Sequence, residues 1–228
     1  MNRRLSNYTL ADNSRLRPRI LVEEEVYSPS DDSFLLEENI RIREGSYVLD
    51  MGTGTGIQAI KAALLGGRRI IAIDINPHAS RCASGNVRLN GLQTWVSVMS
   101  GDLFMPLRKD VLFDTILFNP PYLRTRSSEY EKGWLEKAWA GGRGGRAVID
   151  RFIGEMLGHL KRDGKVFVVH PSRGVRTTIK KLRSAGMEVE KTATKKIFFD
   201  QLLILSATYG THKSHESSSA IEHPKKRI

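Results

Sequence analysis

Apolar residues fall along the chain in short continuous runs, separated by stretches in which they recur every three or four positions. That is the pattern of buried parallel strands alternating with amphipathic helices. Tyr47-Val48-Leu49-Asp50 reads as a first strand, followed by a glycine-rich turn and a helix over about 57–65 that Gly66 and Gly67 close. Residues 69–74 form a second strand, and a helix opens near Pro77, where a missing N–H is harmless, and runs to about Asn90. Third and fourth strands follow at 94–100 and 113–118. After a long segment, 123–146, the pattern predicts a helix over about 147–160, a strand at 165–170 and a helix ending near Ala185-Gly186. Two closing strands, 188–194 and 201–207, lie too near each other for a crossover helix and are expected to pair antiparallel. The alternation predicts one mostly parallel sheet with helices on both faces.

A length of 228 residues suits one such domain with a substantial core. The expected division is a basic extension over 1–25, a domain over 26–210 and a basic, structureless tail over 211–228. No apolar run is long enough to span a membrane, and Met1-Asn2-Arg3-Arg4 leads into polar sequence, so a cytoplasmic location is expected. The single cysteine, Cys82, has no second thiol for a disulfide or a CxxC zinc site, so a packing role is expected and no metal site is. Of the net charge of +11, residues 1–20 hold +4 and 211–228 hold +2, so the flanks carry more than half, consistent with weak RNA contact. A further cluster, Arg173, Arg176, Lys180, Lys181, Arg183, Lys191, Lys195 and Lys196, reads as a solvated face or as a contact for acidic protein or RNA.

The candidate chemistry sits at the carboxyl ends of the strands. Asn119-Pro120-Pro121-Tyr122 ends the fourth one. The two prolines fix φ and remove two backbone donors, leaving carbonyl acceptors in a rigid turn. A planar NH₂ group could donate its hydrogens to the Asn119 side chain and the Pro120 carbonyl while Tyr122 covers its flat face. Asp50-Met51-Gly52-Thr53-Gly54-Thr55-Gly56 follows the first strand, and Gly52, Gly54 and Gly56 let the backbone approach a ligand closely. A dinucleotide fold is the competing reading of that loop, but Asp50 would repel a pyrophosphate and suits a cationic amino-acid group. Asp74 ends the second strand, where a carboxylate can take ribose hydroxyls. Asp102, followed by apolar Leu103, stands where it could meet an adenine amino group. Each aspartate alone could cap a helix or turn; three in register argue for a nucleoside-bearing ligand.

Together these stretches resemble the class I methyltransferases that use S-adenosylmethionine. The resemblance runs from about Tyr27 to Ala207 and implies a Rossmann-like, seven-stranded sheet of order 3-2-1-4-5-7-6 with the last strand antiparallel. It also implies a cofactor set of Tyr27, Ser33, Asp50, Gly52, Gly54, Gly56, Asp74, Ile75, Asp102, Leu103 and Asn119, with no metal. Catalysis falls to Asn119, Pro120, Pro121 and Tyr122.

Within that superfamily the likeness is closest to the HemK-type protein-glutamine methyltransferases, in the short archaeal and eukaryotic branch that modifies the GGQ-type loop of the class I translation release factor. Val26-Tyr27-Ser28-Pro29-Ser30-Asp31-Asp32-Ser33-Phe34-Leu35-Leu36 resembles its first motif, although Ser30 and the acids after it also read simply as a helix start. Ala138 to Arg146, with Trp139, Gly141, Gly142 and Arg143, resembles its substrate-side loop; without that likeness it is a loop with no ligand to contact. Asp200-Gln201-Leu202, between the last strands, is similar to a Glu-x-Leu element, with Asp in the place of Glu. The branch further implies a small zinc-binding activator at the edge strand Thr94-Trp95-Val96-Ser97-Val98-Met99; cover by residues 1–25 of the same chain is the alternative. Asn119 to Tyr122 would equally accept an exocyclic amino group of an RNA or DNA base. A non-catalytic, cofactor-binding scaffold is the third reading.

Overall fold

The computed structural model describes residues 4–5, 17–125, 133–198 and 200–209, with the backbone alone for Arg4, Leu5 and Arg143. The expected tail over 211–228, most of the first sixteen residues and the 126–132 part of the long loop lie outside the described residues. A short pairing of β1 (Arg4–Leu5) with β2 (Leu21–Val22) precedes the main body. Seven further strands make one sheet: β3 (Tyr47–Met51), β4 (Arg69–Asp74), β5 (Val96–Ser100), β6 (Phe113–Phe118), β7 (Leu160–Pro171), β8 (Met187–Ile197) and β9 (Asp200–Tyr209). Their order is β5-β4-β3-β6-β7-β9-β8, which is 3-2-1-4-5-7-6 when the seven are numbered among themselves. β9 runs antiparallel to both neighbours, and the remaining pairings are parallel, as expected.

Successive residues of the central strands serve opposite faces of the sheet. Val48, Leu117 and Val169 join one core cluster with Leu36 and Ile60, from α1 (Asp31–Asn39) and α2 (Ile57–Leu64). Leu49, Ile116 and Val168 join a second with Phe152 and Met156 of α5 (Ala147–Met156) and Leu182 of α6 (Val175–Ser184). The rings of Phe118 and Phe152 lie 4.4 Å apart there. On the first side, α3 (Pro77–Leu89) opens with the Asn76 side chain accepting from the His78 N–H.

Three boundaries differ from the periodicity. The helix expected through Leu160 stops at Met156 and passes through a 3₁₀ turn, Leu157–His159. Leu160 then enters the sheet opposite Phe113, and the next pair is Thr115 with Lys165, so 161–164 form an irregularity inside β7. The apolar character of Leu160, which suggested a helix, fills core instead. β8 and β9 are longer than expected, and Asp200 is the first residue of β9 rather than a link between strands. The edge strand begins at Val96, because Trp95 lies in a turn with its N–H on Leu92 and its ring under the Arg68 guanidinium, 4.5 Å away.

Residues 19–21 lie along α3: the Leu21 N–H donates to Asn86 Oδ1 and Asn86 Nδ2 to the Leu21 carbonyl, at 2.9 and 2.8 Å. Among the described residues β5 pairs with β4 alone, and no strand from 17–25 joins its outer edge. No helix among the described residues is long and apolar enough to cross a membrane.

Candidate active site

A cavity of about 600 Å³ opens at the carboxyl ends of β3, β4 and β6, where β3 lies between strands reached by opposite crossovers. Asp50 lies on its floor, 1 % exposed. Its Oδ2 accepts from Thr53 Oγ1 at 2.5 Å and from the Ala59 N–H at 3.0 Å. Burial nevertheless pushes its carboxyl up to about 7. Such a group gains by meeting a cation.

Asp74 binds the glycine loop to the second strand end: Oδ2 accepts the Gly54 N–H and Oδ1 the Asn76 N–H, both at 2.8 Å. Burial raises its carboxyl too. Two glycines carry the loop's shape. Gly52 has φ +64°, and a Cβ there would stand 3.5 Å from the Phe118 ring; Gly56 has φ +84°, and its Cβ would press on Ala83 at 3.2 Å. Ile75 lines the cavity with half its surface exposed. Leu103, also lining it, holds φ +48°. Asp102 accepts from Arg151 of α5 at 2.8 Å.

Asn119 follows β6, the strand beside β3, and its Oδ1 is buried with no hydrogen-bond partner among the described residues. Tyr122 sends its hydroxyl to Asp32 Oδ2 at 3.1 Å, and Tyr27 sends its own to the same carboxylate at 3.3 Å. Burial and the Asp32 charge drive the Tyr122 phenol far up and that of Tyr27 to about 12. Both rings therefore stay neutral. Ser33 donates its N–H to Asp32, and its carbonyl accepts Gln58 Nε2 at 2.7 Å, which joins α1 to α2.

The glycine-rich loop docks beside the Asn119 turn. The Leu123 N–H donates to the Trp139 carbonyl at 2.9 Å and the Gly141 N–H to the Leu123 carbonyl at 2.8 Å. Trp139, together with Trp134 and Lys137 of α4 (Trp134–Lys137), lines the cavity mouth. A Cβ on Gly141 would sit 2.7 Å from the Pro121 carbonyl oxygen, so that close approach needs glycine. Arg146 ends the loop by gripping Asp150 and Thr178 at 2.7 and 2.8 Å.

These features agree with what the chain resembles. Over 190 residues it is 38 % identical to a candidate protein N5-glutamine methyltransferase of Methanocaldococcus jannaschii, covering 83 % of this chain and 94 % of that one. It is 32 % identical to methyltransferase HEMK2 of Mus musculus, over 72 % of this chain and 86 % of the relative. The chain belongs to the HEMK2-type methyltransferases. The family model for ribosomal protein L11 methyltransferase also matches, over residues 34–122, the stretch holding the glycine loop and Asn119 to Tyr122. Among solved structures the fold matches a chain of the E. cuniculi Mtq2–Trm112 complex, responsible for methylation of the eRF1 termination factor. That match has TM-score 0.63 at 21 % identity and covers 82 % of this chain and all of that one. A methyltransferase from Pyrococcus furiosus matches with TM-score 0.66 at 18 % identity, over 84 % and 89 %.

In this HEMK2-type chain the expected residues converge: Tyr27, Ser33, Asp50, Gly52, Gly54, Asp74, Ile75, Asp102, Leu103, Asn119, Pro120, Pro121, Tyr122 and Trp139 all line one cavity. Gly56 serves the α2–α3 approach instead, and Gly141 and Gly142 hold the loop rather than face the cavity. Arg143 has its backbone in the 3₁₀ turn Arg143–Gly145, and its side chain lies outside the description. Asp32, Gln58, Arg151 and Glu25 are additions. Asp32 was absorbed by its reading as a helix start. Arg151 lies 49 residues from Asp102. Glu25, at φ +63°, takes the Leu135 N–H of the loop on its carboxylate, a long-range contact with no local signature.

Proposed function

We propose that the chain transfers the methyl group of S-adenosylmethionine to the side-chain amide nitrogen of a glutamine in the GGQ-type loop of a class I translation release factor. The observation that carries this reading is the buried, unpartnered Asn119 Oδ1, in the same cavity as the Asp50 and Asp74 strand ends. The residues fit the cofactor: the cavity is large enough for a nucleoside with an amino-acid tail, and the raised Asp50 carboxyl is completed by an ammonium group. When bound, the cofactor supplies an electrophilic methyl group on its sulfonium. Asp50 holds the methionine ammonium, Asp74 the ribose with Ile75 beside it, and Asp102 with Leu103 the adenine. Tyr27 and Ser33 close over that side.

An amide nitrogen is a poor nucleophile because its lone pair is delocalised. Asn119 Oδ1 and the Pro120 carbonyl accept its two hydrogens, which aims the nitrogen and raises its electron density. Tyr122, neutral and tethered to Asp32, lies on the flat face of the amide. The Asn119 and Pro120 oxygens are too weakly basic to keep a proton at neutral pH, and the Tyr122 phenol already holds its own, so the proton displaced by the new N–C bond leaves to water. Trp139, Gly141, Gly142 and Arg143 shape the path of the release-factor backbone.

The catalytic domain is residues 26–210, in the cytoplasm, with the outer β5 edge, which pairs with no strand among the described residues, receiving a small zinc-binding activator. The solved relative in complex with Trm112 supports that partner. The test is incubation with labelled cofactor and either release factor or total RNA, followed by mass spectrometry. One added methyl on the release-factor glutamine is expected; label appearing in RNA alone would overturn the glutamine reading in favour of a nucleobase amino group.

A further inference from the structure

We propose that α6 and β8 form a binding surface for single-stranded RNA, separate from the methyl-transfer cavity. Arg176, Lys180 and Arg183 recur at helical spacing on one face of α6, and Lys191 of β8 joins them around a surface depression of about 650 Å³ floored by Ile179. All four cations are exposed. Their neighbours are spoken for: Lys181 pairs with Asp150 at 2.9 Å and Lys195 with Asp31 at 2.8 Å. The four cations around the depression make no ion pair among the described residues. Glu188 and Glu190 of the same strand do not neutralise them. They alternate with Met187 and Val189, which pack inward under α6, and so face away.

Charge density decides the occupant. From Arg176 to Arg183 the helix rises about 10 Å. A single strand whose bases are stacked keeps about the spacing of one strand of a duplex, a charge about every 3.4 Å, roughly three over that distance. An extended acidic peptide shows one face only every second residue, about every 6.6 Å, so one or two carboxylates would have to serve four cations. Guanidinium groups at both ends also fit phosphate in two-point hydrogen bonding. The excess charge of the whole chain, +11, attracts the same partner from a distance.

The test is fluorescence polarisation of a labelled oligoadenosine RNA of about twenty nucleotides, whose bases stack, with the full chain, the R176E/K180E/R183E variant and a tail variant, K225A/K226A/R227A. Expected results are at least about tenfold weaker RNA binding for the α6 variant, a salt dependence flatter by about two log units per log unit, and little change for the tail variant. Polyglutamate at equal charge should fail to displace the RNA, and methyl transfer to a release-factor peptide should be unchanged by the α6 variant. That last readout separates this surface from the methyl-transfer reading. Should R176E/K180E/R183E not fold, R176A/R183A serves, with a proportionately smaller loss. RNA binding equal to the parent, loss confined to the tail variant, or displacement by polyglutamate would each overturn the proposal.

Discussion

The two halves of the cavity are built on opposite terms. At the ends of β3 and β4 the two carboxylates already hold their loop: Asp50 takes Thr53 and Ala59, and Asp74 takes Gly54 and Asn76; among the described residues the unpartnered atom on this side is the buried Gln58 Oε1 of α2. At the end of β6 the Asn119 side-chain oxygen, the group proposed to take a substrate hydrogen, is itself buried without a partner among the described residues. A buried unpaired acceptor costs about 1–3 kcal/mol, so Asn119 is completed by its ligand, whereas Asp50 and Asp74 already brace their loop and lack only a cation beside Asp50. The donor half can therefore hold its shape with the cavity empty. The acceptor half spends stability on recognition.

Substitution should separate the halves, and the largest effect is expected at Asn119. N119A should lower methyl transfer about 10³-fold while calorimetry shows S-adenosylhomocysteine binding nearly as before. An equal loss of cofactor affinity would erase the distinction between the halves. D50N should do the reverse, weakening S-adenosylhomocysteine about 10²-fold through one lost charged contact. Its stability should move the other way. The Asp50 carboxyl is raised to about 7, so between its ordinary range and about pH 7 the folded chain holds a proton that the unfolded chain has lost. Stability conferred by Asp50 is thus lost as pH rises through that window. Thermal unfolding of D50N should show a shallower decline between about pH 4 and about pH 7. For the parent, S-adenosylmethionine binding should tighten as pH rises toward about 7 and Asp50 becomes ionised.

A smaller effect is expected at the loop. In G141A the new methyl meets the Pro121 carbonyl, 2.7 Å away, and the displaced loop should cost about tenfold in kcat/KM for a release-factor substrate with cofactor binding intact. Y122F should be mildest, about fivefold in kcat, the worth of one hydroxyl contact to Asp32. A Y122F variant that lost cofactor affinity instead would place that ring on the donor side.

The strand ends of both halves were legible in sequence. A parallel strand read as an apolar run, and the residue ending it is where the fold puts ligands, so Asp50, Asp74, Asp102 and Asn119 could be named from spacing alone. The sheet order followed from the family resemblance. Hidden were the contacts that join distant segments: Arg151 to Asp102, Glu25 to Leu135, and both tyrosines to Asp32. A carboxylate two residues into a helix has a sufficient local explanation in the helix dipole, which conceals any distant partner. The irregularity after Leu160 was likewise invisible, since the same leucine suits a helix end or a strand start.

The carboxylate of Asp32 is shared by one side chain from each half of the cavity. Shifting either ring changes the hydrogen bond available to the other, so occupancy of the two sites is thermodynamically coupled. Whatever factor a glutamine peptide adds to the affinity for S-adenosylhomocysteine, S-adenosylhomocysteine must add to the affinity for the peptide, and D32N should shrink both by the same amount.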